Sequence, residues 1–285
     1  MQERNFEWET SDGIHISGRE WQANQPKGAI CLIHGLGEHI GRYSHFAQYF
    51  TDNGYSVIGY DRRGHGLSGG KRGHTPRVDL LLDEVSQLLV QAKVHHQRMP
   101  IFLYGHSMGG NLVLAYALKR HPEVQGVIAS APWIRLAFQP SGIEIALGKI
   151  MRVLYPAYTQ GNGLKTEHLS KDPEVVRAYE QDPLVHDRIT AATGIGMMQQ
   201  ANWLDQYSGL FPLPLLIMHG GEDHIVSPEG SRAFALRVQG DVTYREWEGL
   251  YHEIHNEKKQ LEVFEYAHHW MEHHIEKKSM AAKTV

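Results

Sequence analysis

Ile101-Phe102-Leu103-Tyr104-Gly105-His106-Ser107-Met108-Gly109-Gly110-Asn111-Leu112-Val113-Leu114-Ala115-Tyr116 is the stretch of this 285-residue chain whose reading decides the fold. An apolar run rich in β formers stops at Gly105, and a helix-forming sequence, apolar on nearly every face, begins after Gly110. Between them lies Gly-x-Ser-x-Gly, the mark of a strand–turn–helix elbow that lifts a serine hydroxyl out of a sheet. So sharp a turn strains the serine backbone, and the two glycines keep side chains from colliding across it.

The pattern alone is weak. With 29 glycines and 14 serines, chance places it in about one such chain in seven. A second copy does occur, Gly66-Leu67-Ser68-Gly69-Gly70, after Asp61-Arg62-Arg63-Gly64-His65. No strand feeds that copy directly and no helix leaves it, so it reads as a glycine-rich loop. Context selects Ser107 as the nucleophile and Ser68 as the decoy.

Outward from the elbow, strand and helix alternate. Residues 1–30 alternate polar and apolar around a turn at Asp12-Gly13, an antiparallel hairpin. Ala29–Ile33, Tyr55–Tyr60 and Gly126–Ser130 are short apolar runs of the kind buried on both faces of a parallel sheet. Helices are predicted over about 43–53 and 77–97. From Trp133 to Leu210 the rhythm breaks, with helical patches and turn signals but no strand. It resumes with a strand at 214–218, a helix from Pro228, a strand over Val242–Trp247 and a terminal helix from Asn256. The prediction is an α/β chain with a mostly parallel sheet, helices on both faces, a core of 1–132 and 211–285, and a helical cap over 133–210. Open α/β sheets bind ligands at their carboxyl edge, below such an insertion. Ser279–Val285 reads as a frayed tail.

Composition narrows the classes. A hydrophobic share of 41% with 21% charged residues fits a globular chain with a sizeable core. The net charge of −4 gives no reason to expect a nucleic-acid partner. The start lacks the apolar core of a signal peptide, no stretch is long enough to span a bilayer, and a cytoplasmic location is expected. The single cysteine, Cys31, lies in a buried-strand pattern and excludes an internal disulfide.

A serine needs a base to take its proton and a third group to orient that base. On an elbow fold these follow in the order Ser, acid, His. The acid belongs after the 214–218 strand, where His219-Gly220-Gly221-Glu222-Asp223 offers two carboxylates, with Asp223 preferred over Glu222. The base belongs after the last strand, where Tyr251-His252-Glu253-Ile254-His255 offers His252 first and His255 second. Two backbone donors must hold the developing oxyanion: the N–H of Met108, and one from the loop His34-Gly35-Leu36-Gly37, for which Leu36 is chosen. His34 itself reads as a turn residue bonding loop backbone. His269 and His273, four apart, read as a wet helix face rather than a metal grip, so no metal and no cofactor are expected.

At these residues the chain resembles the monoglyceride lipases, serine hydrolases of the α/β-hydrolase fold. The likeness rests on His34-Gly35-Leu36-Gly37-Glu38-His39, Arg42-Tyr43, Asp61 through Ser68, Gly105–Gly110 and Tyr251-His252, several motifs in the right order. It implies Ser107, Asp223 and His252 as triad, with Leu36 and Met108 as oxyanion donors. It also implies Glu38, Arg42, His106, Tyr179 and His255 around the glycerol end of a substrate. The expected reaction is hydrolysis of monoacylglycerols to glycerol and fatty acid. A lysophospholipase or broad carboxylesterase is the rival enzyme, and a non-catalytic binding protein on the same scaffold is the rival of another class. Ile143, Ala146, Leu147, Ile150 and Leu154 form one apolar stripe in the cap. Two roles fit that stripe equally and are compatible: meeting a membrane or micelle, and packing the cap onto the core.

Overall fold

The structure, a computed structural model, describes residues 1–97 and 99–283. In chain order the leading elements are β1 (Gln2–Glu9), β2 (His15–Gln22), β3 (Gly28–Ile33), α1 (Ser44–Asp52), β4 (Tyr55–Tyr60), α2 (Val78–His95), β5 (Ile101–His106), α3 (Met108–Arg120) and β6 (Gly126–Ser130). The insertion carries α4 (Gly142–Leu154), β7 (Thr159–Gly161), α5 (Pro173–Gln181), β8 (Arg188–Thr190) and α6 (Ala191–Gln206). The chain closes with β9 (Leu215–Gly220), α7 (Pro228–Arg237), β10 (Val242–Trp247) and α8 (Gln260–Lys283).

Eight strands make one sheet in the order β1-β2-β4-β3-β5-β6-β9-β10. β1 and β2 pair antiparallel to each other and β2 to β4, while every pair from β4 to β10 is parallel. β3, β4, β5, β6 and β9 are buried along their whole length, which is why they read as continuous apolar runs. One face packs on α1 and α8 through Phe46, Phe50, Phe264 and Trp270. The other packs on α2 and α3 through Leu81, Leu88, Leu112 and Val113. The strand order reverses between β3 and β5, so the loops leaving these two strands diverge and open a crevice at the carboxyl edge.

Three expectations change. The 133–210 segment does contain strands: β7 and β8 form a two-stranded antiparallel ribbon. Three residues apiece are too few to show alternation, so a sequence pattern could not expose them. The terminal helix begins at Gln260 rather than Asn256, after a 3₁₀ turn over Ile254–Asn256. Glu257 interrupts it in an extended conformation, its carboxylate accepting from the Lys171 and Tyr251 amides. The tail is ordered helix to Lys283; the rest of the predicted frayed segment, Thr284 and Val285, lies outside the described residues. His269 and His273 are both exposed on α8.

The apolar stripe of α4 does not pack the cap onto the core. Ile143 is 82% exposed and Leu154 75%, with Leu147 and Ile150 also outward. The helix seats on α6 by another side, where Gly148 meets Ile195. No helix among the described residues is long and apolar enough to cross a membrane.

Candidate active site

β5 ends at His106 and α3 begins at Met108, leaving Ser107 alone in the turn with φ +55°. That conformation is uncommon for a residue with a side chain and is held by its surroundings. The Ser107 amide donates to the Ser130 carbonyl at 2.9 Å, and its carbonyl accepts from the Trp133 amide at 3.0 Å. Both glycines are required. A Cβ at Gly105 would strike the Gly109 carbonyl, and one at Gly109 the carbonyl of Ile33. The neighbouring strand therefore fixes how sharply the elbow folds.

Ser68 sits quite differently. Its hydroxyl donates to the Asp61 carbonyl and accepts from the Ser17 amide, so it staples a loop to β2. It is buried, whereas Ser107 is half-buried and lines a narrow cleft with Leu36, Glu38, His106, Tyr179, His252 and Glu253.

The end of β9 delivers Asp223, buried under the same edge. One oxygen accepts from the Ile225 and Val226 amides at 2.8 and 3.0 Å. The other accepts from His252 Nδ1 at 2.6 Å and from His219 Nε2 at 3.0 Å. Burial opposes the carboxylate charge, but His252 and His219 outweigh it and hold Asp223 below the usual carboxylate range. Because an ionised carboxylate only accepts, His252 carries its proton on Nδ1 and keeps a lone pair on Nε2. Burial alone would lower the His252 pKa; the charge and hydrogen bond of Asp223 raise it instead. Glu222 points elsewhere, paired with Lys171 on the surface at 2.8 Å. His255 has no such acid. Both its nitrogens are buried without hydrogen-bond partners, its ring stacks on Tyr43, and burial lowers its pKa to about 3.

His219 was not singled out from the sequence. Its Nδ1 accepts from Ser231 at 2.8 Å while Nε2 serves Asp223, so Ser231, His219, Asp223 and His252 form one buried chain. The signal was its place four residues before the acid, at the end of β9.

The amides of Leu36 and Met108 donate to no backbone carbonyl among the described residues. Met108 opens α3, whose N-terminal amides carry the positive end of the helix dipole. His34 is confined to the backbone role expected of it, bonding the Gly35 carbonyl at 2.8 Å and accepting from the Arg62 amide at 3.0 Å.

The remaining predicted residues gather beside the same cleft. Arg42 donates to Glu38 at 2.8 Å and reaches both oxygens of Glu253 at 2.7 Å. Tyr179 lies 4.7 Å from the guanidinium, and Tyr43 donates to Glu38 at 2.8 Å. The His106 ring lies tilted against His252 and T-shaped against His255, at 4.7 and 4.6 Å between ring centres. Burial, then the neighbouring histidines, hold His106 well below the usual histidine range. Glu253 is the second residue missed. It stands beside His252 but bonds a residue 211 positions away, and no local pattern reports so distant a pairing.

A largely parallel sheet with a serine elbow at its switch point, an Asp after β9 and a His after β10 defines the class: an α/β-hydrolase. Comparison with known proteins agrees. The chain belongs to the hydrolase family whose model is described as "Serine aminopeptidase, S33", which matches residues 24–259. It is 34% identical to a monoacylglycerol lipase of Mycolicibacterium smegmatis, over 92% of this chain and 95% of that protein. The crystal structure of the Paleococcus ferrophilus monoacylglycerol lipase superposes with a TM-score of 0.82 at 31% identity, covering 96% of this chain and all of that one. An uncharacterised abhydrolase domain-containing protein of Dictyostelium discoideum is 38% identical over 94% of this chain, which spans only 29% of its length.

Proposed function

We propose that this chain is a serine ester hydrolase that cleaves monoacylglycerols to glycerol and free fatty acid. The observation that carries the reading is the 2.6 Å bond from His252 to Asp223, beside a serine held at positive φ. His252 Nε2 takes the Ser107 proton as the hydroxyl oxygen bonds to the ester carbon. The carbonyl oxygen becomes an oxyanion and receives the Leu36 and Met108 amides. As the C–O bond to glycerol breaks, His252 passes its proton to the leaving oxygen, leaving Ser107 acylated. Water, deprotonated by the same histidine, then attacks the acyl carbon, and fatty acid departs as Ser107 regains its proton. Asp223 holds the ring in the required tautomer and stabilises its charge throughout.

Residues 133–210 act as a cap in this reading. Its floor is a cavity of about 340 Å³ lined by Trp133, Leu136, Ile145, Ile189, Ile195 and Met198. It begins at Trp133, whose amide is bonded to Ser107, and its apolar side suits an acyl chain, with Gln139, Glu144, Gln160, Asn162 and Thr190 making up the polar remainder. The exposed stripe on α4 is an interfacial face that meets lipid aggregates. The glycerol end falls between Glu38, Arg42, His106, Tyr179 and His255.

The test is glycerol release from monoacylglycerols of graded chain length beside matched lysophospholipids, diacylglycerols and triacylglycerols, with Ser107→Ala as blank. Preferential release from monoacylglycerols is expected. Faster cleavage of lysophospholipids would keep the triad and overturn the substrate.

A further inference from the structure

Arg42 stands behind Glu38, Tyr179 and Glu253, three residues that line the Ser107 cleft, and its guanidinium is already occupied. Of its five N–H groups, both on one terminal nitrogen and one on the other bond Glu38 and Glu253. Glu253 takes the guanidinium in two parallel bonds at 2.7 Å, the geometry by which arginine would otherwise grip a phosphate. Asn256 fixes the same carboxylate with a third bond at 2.7 Å, and Tyr179 covers a face of the guanidinium. Two carboxylates thus confront one cation. The neighbouring rings of His106 and His255 add no compensating positive charge, since burial keeps both neutral. Outside the cleft, His39 is paired with Asp182 at 2.8 Å.

We propose that Glu253 is a specificity-determining residue that makes the headgroup side of the pocket accept neutral alcohols and reject phosphate-bearing ones. The inference rests on the reading above, in which this side receives the alcohol part of the ester. A hydroxyl can donate to carboxylate lone pairs that remain free without displacing anything. A phosphate has no proton to offer them of comparable strength, and to reach Arg42 it must evict Glu253. That would leave a buried carboxylate unpaired beside a second anion, a costly arrangement. Glu253 directly follows His252, so the base and the headgroup filter ride on one short segment.

Calorimetric binding of two non-hydrolysable probes below their micelle concentrations tests this. They are 1-O-octylglycerol and 1-O-octylglycerol 3-phosphate, each titrated into intact protein at fixed ionic strength. The neutral ether should bind the native protein at least about tenfold more tightly. Glu253→Gln, which removes the charge and keeps the shape, should narrow that ratio at least about fivefold, and Glu253→Asp should preserve it. Equal affinities in the native protein, no binding of the neutral ether, or an unchanged ratio in a folded Glu253→Gln protein would each overturn the proposal. The native ratio decides by itself if the variant does not fold. Binding needs no turnover, so absence of monoacylglycerol cleavage with an intact ratio would refute the substrate and leave the filter standing.

Discussion

The chain holds two Gly-x-Ser-x-Gly stretches, and each serine has an aspartate for company. Ser107 is bent out of a strand, with its side chain in a cleft, and its aspartate acts at a distance through His252. Ser68 is buried in a loop, and its hydroxyl is spent on the Asp61 main chain and the Ser17 amide. The Asp61 carboxylate in turn caps the Ile40 and Leu67 amides at 2.8 Å. The same five-letter pattern therefore makes the proposed nucleophile in one place and a staple in the other. A hydroxyl whose hydrogen bonds are all internal is structural; one left facing a cleft beside a base is available for chemistry.

The contrast breaks most decisively at the serines themselves. Ser107→Ala and His252→Ala should each lower kcat on p-nitrophenyl butyrate by about a millionfold, the scale seen when a triad loses nucleophile or base. Ser68→Ala should leave turnover within about threefold of native, because its loss removes a staple and no reacting atom. Loss of turnover in a folded Ser68→Ala protein would reverse the assignment.

The aspartates sharpen it next. Asp223→Asn should lower kcat by about ten-thousandfold by favouring the wrong tautomer. It should also move the acid limb of the pH–rate profile. His252 works as a base only when neutral, so activity is lost as pH falls through its pKa. The Asp223 carboxylate raises that pKa against the effect of burial, so removing the charge should shift the limb of the residual activity to lower pH. Asp61→Asn should leave the limb in place and instead cost about 1–3 kcal/mol in urea unfolding, since one buried amide loses its acceptor.

The smallest effect is the stability of the staple. Ser68→Ala strands the Ser17 amide and should cost about 1–2 kcal/mol, read as a lower denaturation midpoint at unchanged m. A neutral outcome would mean that water replaces the hydroxyl and the loop was never held there.

What could be read without coordinates follows the range of the interaction. The elbow, the buried strands and the order Ser107, Asp223, His252 are set by neighbours in sequence, and sequence shows them. The stripe on α4 was visible as a period, but a period has no outside, and only packing against α6 shows that the apolar residues face outward. Glu253 looked like one more charge in a loop. Its partner Arg42 follows β3, four places from β10 in the sheet order, and that bond exists only once β3 and β10 have been placed. The chain from Ser231 through His219 to Asp223 was missed for a related reason, since a buried histidine at a strand end is indistinguishable from a packed one until its nitrogens find partners. The ribbon of β7 and β8 was too short to carry a pattern at all.

Cys31 is sealed in the middle of β3, and burial, with Glu20 adding to it, keeps its thiol protonated far above neutral pH. For testing whether α4 meets a lipid surface, that silence is useful. A cysteine introduced at Leu147 would be the single reactive sulfur on the molecule, ready for an environment-sensitive dye with no background to subtract.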